Sequence, residues 1–491
     1  MKKLFGYSLC AAVFLVIGML LADTKIADVA RTTAKSAGSK AIEVVASQVD
    51  IETRTLVLAE NPQLINRIME GGAFGGEFSL AAAQNMFGRT EDAIEDVRKK
   101  TSVVEVGPRS YLIRMPIVNA AFFETDEGIV LVDTGMGPAG PAIMDAIRSV
   151  SDKPIHTIIY THGHVDHAYG TWAIMDAGET PEIIAHELLQ DRFNRYIRLR
   201  GSLAKSMSQP EEQLPATESD LVWPTRYFSD RLELEIGGET FVLQHHKGET
   251  DDQLYVWVPG RGVLASADYY QGFLPNAGNG KRYQRHVEDW VVALKEMASL
   301  QPDILLPAHG EAITDTTTIV ENFTVLAEAL QYIVDRTIEG LNSGNRKDLV
   351  YASIQLPEHL ATHPTLNEQY VSANDISKMV TKKYTGWWDD IPSHWSPASY
   401  EDQGNMIIEL AGGHVPAIVN YARGLIGQDI RLASHLTDWL FYARPNDAQV
   451  QKLVIDVYGA RIMDPASNNM EMLAYLDQMT AARERGRAKS E

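Results

Sequence analysis

The chain has 491 residues, and at about 100–200 residues per domain that length allows two to four domains and a sizeable core. With 45% hydrophobic and 22% charged residues it has an ordinary globular composition, which excludes a disordered, collagen-like or polytopic membrane protein. Forty-four basic against 65 acidic residues, a net charge of −21, argue against a nucleic-acid partner while leaving room for a small anion in a local basic pocket. The single cysteine, Cys10, excludes a disulfide framework and a thiolate metal site.

At the start, Lys2 and Lys3 precede an apolar run over residues 4–22, with Asp23 and Thr24 after it. Residues 1–24 therefore read as an export signal, or as an uncleaved anchor, because the run is long and Leu20 stands where a small residue should precede a cut after Ala22. Either reading puts the protein outside the cytoplasm, periplasmic or secreted, with membrane attachment through residues 4–22 in the second case. Residues 25–98 read as a helical extension interrupted by the Gly-rich stretch 71–76, without evident chemistry. From Val103 the pattern changes to short strands: 103–104, 111–113, 120–123, 129–132 and the apolar 155–160. Strands then alternate with helices, so residues 99–318 form a layered α/β domain. Residues 319–491 are almost purely helical, with segments at 319–341, 405–425, 429–442, 448–462 and 468–482.

The chemistry concentrates in Thr161, His162, Gly163, His164, Val165, Asp166 and His167, directly after the strand 155–160. In an extended loop His162 and His164 share one side, while Asp166 and His167 turn to a second point, so one segment can serve two adjacent metal ions. A loop at the carboxyl end of a parallel strand is where α/β proteins place such groups.

His162-x-His164-x-Asp166-His167 resembles the signature of the metallo-β-lactamase fold, and the resemblance extends over residues 103–318. It implies an αββα sandwich with two Zn²⁺ per chain. Val132-Asp133-Thr134-Gly135 resembles the family's first motif, in which the Asp braces the metal loop without ligating. Leu306-Pro307-Ala308-His309-Gly310 resembles its last ligand motif and implies His309 on the second zinc. Glu249, in Gly248-Glu249-Thr250, stands where the superfamily usually has a third His, and Asp268 matches the bridging carboxylate. The Glu-for-His exchange is similar to the alkylsulfatase branch. Residues 384–389, 411–413 and 427–433 resemble the helical dimerisation domain of those enzymes. The chain stops at Glu491, leaving no room for the sterol-carrier-like third domain of the detergent-degrading members, which argues against long alkyl substrates.

The resemblance thus implies a zinc-dependent hydrolase of sulfuric esters, acting on a small molecule, and a homodimer. Zn1 is expected on His162, His164 and Glu249, Zn2 on Asp166, His167 and His309, with Asp268 bridging and a metal-bridging hydroxide as nucleophile. Asp166 and Asp268 are the catalytic carboxylates of this reading. Lys281, Arg282 and Arg285 form the densest basic cluster near these motifs, and a sulfate ester needs such donors. Aligned on Trp290, Arg285 falls at a sulfate-binding Arg of the alkylsulfatase pattern, and a second falls at Lys281 or Arg282. Cast as substrate-facing, Arg285 should be removable without loss of zinc.

His186, after a short strand, matches a His that supports the ligands in this fold. His245 and His246, despite their closeness to Glu249, read as structural, as do the histidines of the helical part, and Trp387 and Trp388 read as core. Two rival functions stay open: another ester or lactone hydrolase on the same fold, and a non-catalytic anion-binding or assembly protein.

Overall fold

The protein is described by a computed structural model over residues 51–70 and 79–487. The export or anchor segment 1–24, Cys10 and the Gly-rich stretch 71–76 lie outside these residues. Among the described residues two sheets form. The first has seven strands in chain order: β1 (Ser102–Gly107), β2 (Ser110–Arg114), β3 (Asn119–Glu124), β4 (Ile129–Val132), β5 (Ile155–Ile159), β6 (Glu182–His186) and β7 (Arg226–Phe228). Strands β1 to β4 pair antiparallel and β4 to β7 parallel. The second runs β12-β11-β10-β9-β8, built from β8 (Arg231–Ile236), β9 (Glu239–His245), β10 (Leu254–Val258), β11 (Val263–Ala267) and β12 (Ile304–Pro307).

Hydrophobic patterning explains the layering. Strand β4 is Ile-Val-Leu-Val and buried throughout, as a central strand covered on both faces must be. Edge strand β8 alternates charged residues with half-buried and buried apolar ones, so it has one wet face. Phe123, Val130, Ile159 and Ile184 of the first sheet meet Leu243, Leu254, Val256 and Ala265 of the second between the sheets. On the outside, helix Gly140–Arg148 covers the first sheet through Ile143 and Ile147. Helices Val287–Ser299 and Thr316–Asn342 cover the second through Trp290, Leu294 and Phe323. The order is helix, sheet, sheet, helix, the expected α/β sandwich.

A helical region follows, with its own core of Val419, Leu440, Leu453, Val457 and Leu476. Two details differ from expectation. The segment 405–425 is two helices, Tyr400–Leu410 and Val415–Leu425, because Gly412 and Gly413 take φ of +65° and +79° and turn the chain between them. Trp387, expected in the core, is 75% exposed and packs against Trp395 with ring centroids 5.4 Å apart; the loop after helix Ala373–Tyr384 carries it off the surface.

Helix Ile51–Glu60, the first among the described residues, belongs to this helical core through Val57 and Leu58, so its apolar residues are hidden by elements some 400 residues later; Arg54 pairs with Asp477, 423 positions on. Two glycines record direct backbone contact. A Cβ on Gly404 would overlap the Trp439 carbonyl, and one on Gly278 would overlap the backbone of Asp375 and Ile376. The first seats Tyr400–Leu410 on helix Ile430–Ala443; the second seats the loop 275–280 on helix Ala373–Tyr384.

Candidate metal centre

Strand ends bring the predicted ligands together. Past β4, Asp133 adopts φ +62° and accepts from Thr161 N at 2.8 Å, Thr161 Oγ1 at 2.7 Å and His167 Nδ1 at 2.8 Å. Strand β5 leads through His162 into the short helix Val165–Ala168, for which His164 is the N-cap and Asp166 and His167 lie in the first turn. Ala267, at φ +49°, turns the chain past β11 to present Asp268. His309 follows β12, and its Nδ1 donates to the Ile117 carbonyl at 2.7 Å. Glu249 comes from the connection between β9 and β10.

All seven side chains converge in two groups. His162, His164, Glu249 and Asp268 form one, and Asp166, His167 and His309 the other, with ligand-type atoms within 4.8 Å of each other in each group. In the first, His162 Nε2 and His164 Nδ1 face each other at 2.9 Å, and His164 Nδ1 lies 3.9 Å from Glu249 Oε1. Asp268 joins the groups: its Oδ2 is 3.7 Å from His162 Nε2, and its Oδ1 is 3.5 Å from His167 Nε2 and 3.3 Å from His309 Nε2. Asp166 Oδ2 is 3.7 Å from His167 Nε2 and 3.8 Å from His309 Nε2.

Donor chemistry fits a pair of divalent cations. Asp133 and the Ile117 carbonyl hold the Nδ1 protons of His167 and His309, which leaves both Nε2 atoms as ligands. His167 Nε2 and Asp268 Oδ1 are buried without a hydrogen bond among the described residues, a costly state unless a cation completes it. Burial, then the neighbouring positive charges, holds His162 and His164 well below the usual histidine range, as neutral imidazoles. His309 behaves oppositely: burial opposes its proton, but Asp268 and Asp166 outweigh it and lift the group to about 9. Burial pushes Glu249 up to about 8, with Arg285 opposing and Asp268 adding to the rise. The shifts of His309 and Glu249 mark the buried carboxylate charge around Asp268 that a bound metal cation would offset.

Of the basic cluster, Arg285 is 1% exposed. It lies against Glu249, with Nη2 2.8 Å from Oε1 and Nη1 donating to the Glu249 carbonyl; its Nε makes no hydrogen bond among the described residues. Lys281 reaches away to Asp477 of helix Asn469–Arg487 at 2.6 Å. Among the described residues, the Arg282 side chain makes only a 3.5 Å contact from Nη1 to the Lys281 carbonyl. His186 does not brace a ligand: Ser229 O lies 2.8 Å from its Nε2, and Leu188 N donates to its Nδ1 at 3.2 Å. His245 stacks on it at 3.6 Å, and His246 pairs with Glu296 at 2.6 Å; neither belongs to the two ligand groups. Sequence reasoning missed two further partners of Glu249: Gln271 Nε2, which donates at 3.3 Å, and Asn276 Nδ2. Only the Gly- and Asn-rich composition of 275–280 signalled that loop.

Comparison with known proteins agrees with this architecture. Residues 114–309 match the metallo-beta-lactamase superfamily and residues 347–484 match the alkyl sulfatase dimerisation family. The chain therefore combines a metallo-beta-lactamase domain with an alkyl sulfatase dimerisation domain. Among its relatives, a linear primary-alkylsulfatase of Pseudomonas sp. is 27% identical over 344 residues, 64% of this chain and 65% of that protein. An alkyl/aryl-sulfatase of Saccharomyces cerevisiae is 22% identical over 381 residues, 70% of this chain and 58% of its own. The chain thus matches less than two thirds of the length of these relatives. The solved structure of a stereoselective inverting sec-alkylsulfatase from Pseudomonas sp. superposes with a TM-score of 0.69 over 89% of this chain and 78% of that one, at 18% identity. That likeness is one of fold.

Proposed function

We propose that the chain is a binuclear zinc hydrolase of small sulfuric esters, of the alkylsulfatase type. The observation that carries this reading is the buried pair Glu249 and Asp268 within the ligand groups, in a domain followed by an alkyl sulfatase dimerisation domain. His162, His164 and Glu249 would hold the first zinc and Asp166, His167 and His309 the second, with Asp268 lying between the two groups. Zinc supplies Lewis acidity, which makes water a nucleophile near neutral pH. Asp133 fixes the tautomer of His167, and Gln271, Asn276 and Arg285 orient Glu249. Three carboxylates against two Zn²⁺ leave about one positive charge, so an anionic product is held less tightly than by a His-only set. Arg282 and the free Nε of Arg285 then hold the sulfate, while Lys281 ties their loop to the last helix.

The dimer belongs to the same reading, as does export through residues 1–24; among the described residues no helix is long and apolar enough to cross a membrane. A panel of primary, secondary and aryl sulfates against carboxylic esters and lactones tests the assignment, with ¹⁸O-water reporting which bond breaks. Preference for sulfate esters by at least about 100-fold in kcat/KM, roughly 2.7 kcal/mol, supports it; turnover of carboxylic esters or lactones alone overturns it.

A further inference from the structure

The segment that supplies Glu249 is pinned at nearly every residue. His286 N donates to the Gly248 carbonyl at 2.9 Å, Glu249 N donates to Gln253 Oε1 at 2.9 Å, and Asp251 pairs with His286 at 2.7 Å. The next residue, Asp252, is 1% exposed, and its Oδ2 accepts from Gly163 N at 2.8 Å. Gly163 is the residue between His162 and His164. A Cβ there would lie 2.7 Å from Arg192 Cγ and 3.4 Å from Asp252 Oδ2, so the peptide joining the two histidines is wedged between a buried arginine stem and a buried carboxylate. Asp252 Oδ1 and Arg192 Nη2 make no hydrogen bond among the described residues.

We propose that Asp252, backed by Arg192, is the positioning residue of the first metal site: it locks the loop carrying His162 and His164 in register with the segment carrying Glu249. One short segment then controls three ligands of one ion, Glu249 directly and the two histidines through Gly163 N. The second group, Asp166, His167 and His309, has further braces in Asp133 and the Ile117 carbonyl. This inference rests on the binuclear reading above.

The test is zinc titration of the metal-stripped full-length protein against a chromophoric chelator, with apoprotein melting followed by circular dichroism. Wild-type protein takes up two ions. Asp252→Ala should bind one of them about 10–100-fold more weakly, as loss of a ligand-orienting partner does, and the other unchanged. Asp252→Asn, which keeps an acceptor for Gly163 N, should restore the weaker site to within about threefold of wild type. Gly163→Ala, which drives a methyl into the Arg192 stem, should reproduce the single-site loss and carries the test if Asp252→Ala does not fold. Equal affinity of both sites in Asp252→Ala and Gly163→Ala, or equal weakening of both sites, overturns the positioning role. Asparagine behaving as alanine also overturns it, since charge rather than register would then be the cause. Absence of zinc uptake by wild-type protein overturns the metal reading itself.

Discussion

Arg285 and Glu249 are joined twice, through Nη2 to the carboxylate at 2.8 Å and through Nη1 to the backbone carbonyl of the same residue. The sequence casts Arg285 as a substrate group whose loss leaves metal content intact; the pairing predicts otherwise. Arg285→Ala strands a buried carboxylate, a change that costs about 3–5 kcal/mol when a buried pair is broken. Both the apoprotein melting temperature and the zinc content should fall, alongside a loss of at least about tenfold in kcat/KM. Elemental analysis checks this: full zinc occupancy in Arg285→Ala would show that the contact to Glu249 is incidental.

Asp268 reaches histidines of both ligand groups. Asp268→Ala should lose mainly the second ion and nearly all turnover, while Asp166, His167 and His309 keep their positions through Asp133 and Ile117. Two retained ions and full activity would contradict the bridging role.

The helical region leaves large apolar side chains in water: Leu410 is 77% and Tyr421 64% exposed. Burying such a face is worth about 25 cal/mol per Å², so a second copy should cover it. Light scattering should give twice the 54.4 kDa of the chain, and Leu410→Glu/Tyr421→Glu should shift the protein to monomer while zinc uptake stays at two ions per chain. A wild-type monomer at micromolar concentration would refute this.

Gly404→Ala places a methyl against the Trp439 carbonyl and the Ala443 side chain. The two helices must separate, at about 1–3 kcal/mol, and the melting temperature should drop by several degrees. Metal affinity should not change, because residue 404 lies outside the sandwich. An unchanged melting temperature would mean that the helices part at no cost.

How far the sequence reached follows from the range of each interaction. The three histidines and the aspartate of 162–167 are legible because a single loop carries them, whereas Asp133, Glu249, Asp268 and His309 are legible through the motifs that resemble the metallo-β-lactamase fold and its alkylsulfatase branch. Gly412 and Gly413 stood in plain view, yet periodicity alone runs through them; what splits the segment is their positive φ. Trp387 looked like core because Trp usually is, whereas its exposure depends on where one loop leaves a helix. Asp252, Arg192 and Gln271 were invisible for a different reason. Each matters only through a partner in another segment: Gly163 is 89 positions from Asp252 and Glu249 is 22 from Gln271, and no local pattern records such pairings.

Gly278 leaves no room for even a methyl between the loop 275–280 and the backbone of Asp375 and Ile376. That loop carries Asn276, and Lys281 just beyond it is tethered to Asp477. The wall of the site is therefore moulded on the helical region and cannot be inherited, swapped or redesigned without it. A chimaera that takes 270–286 from a relative should need that relative's counterpart of helix Ala373–Tyr384 as well.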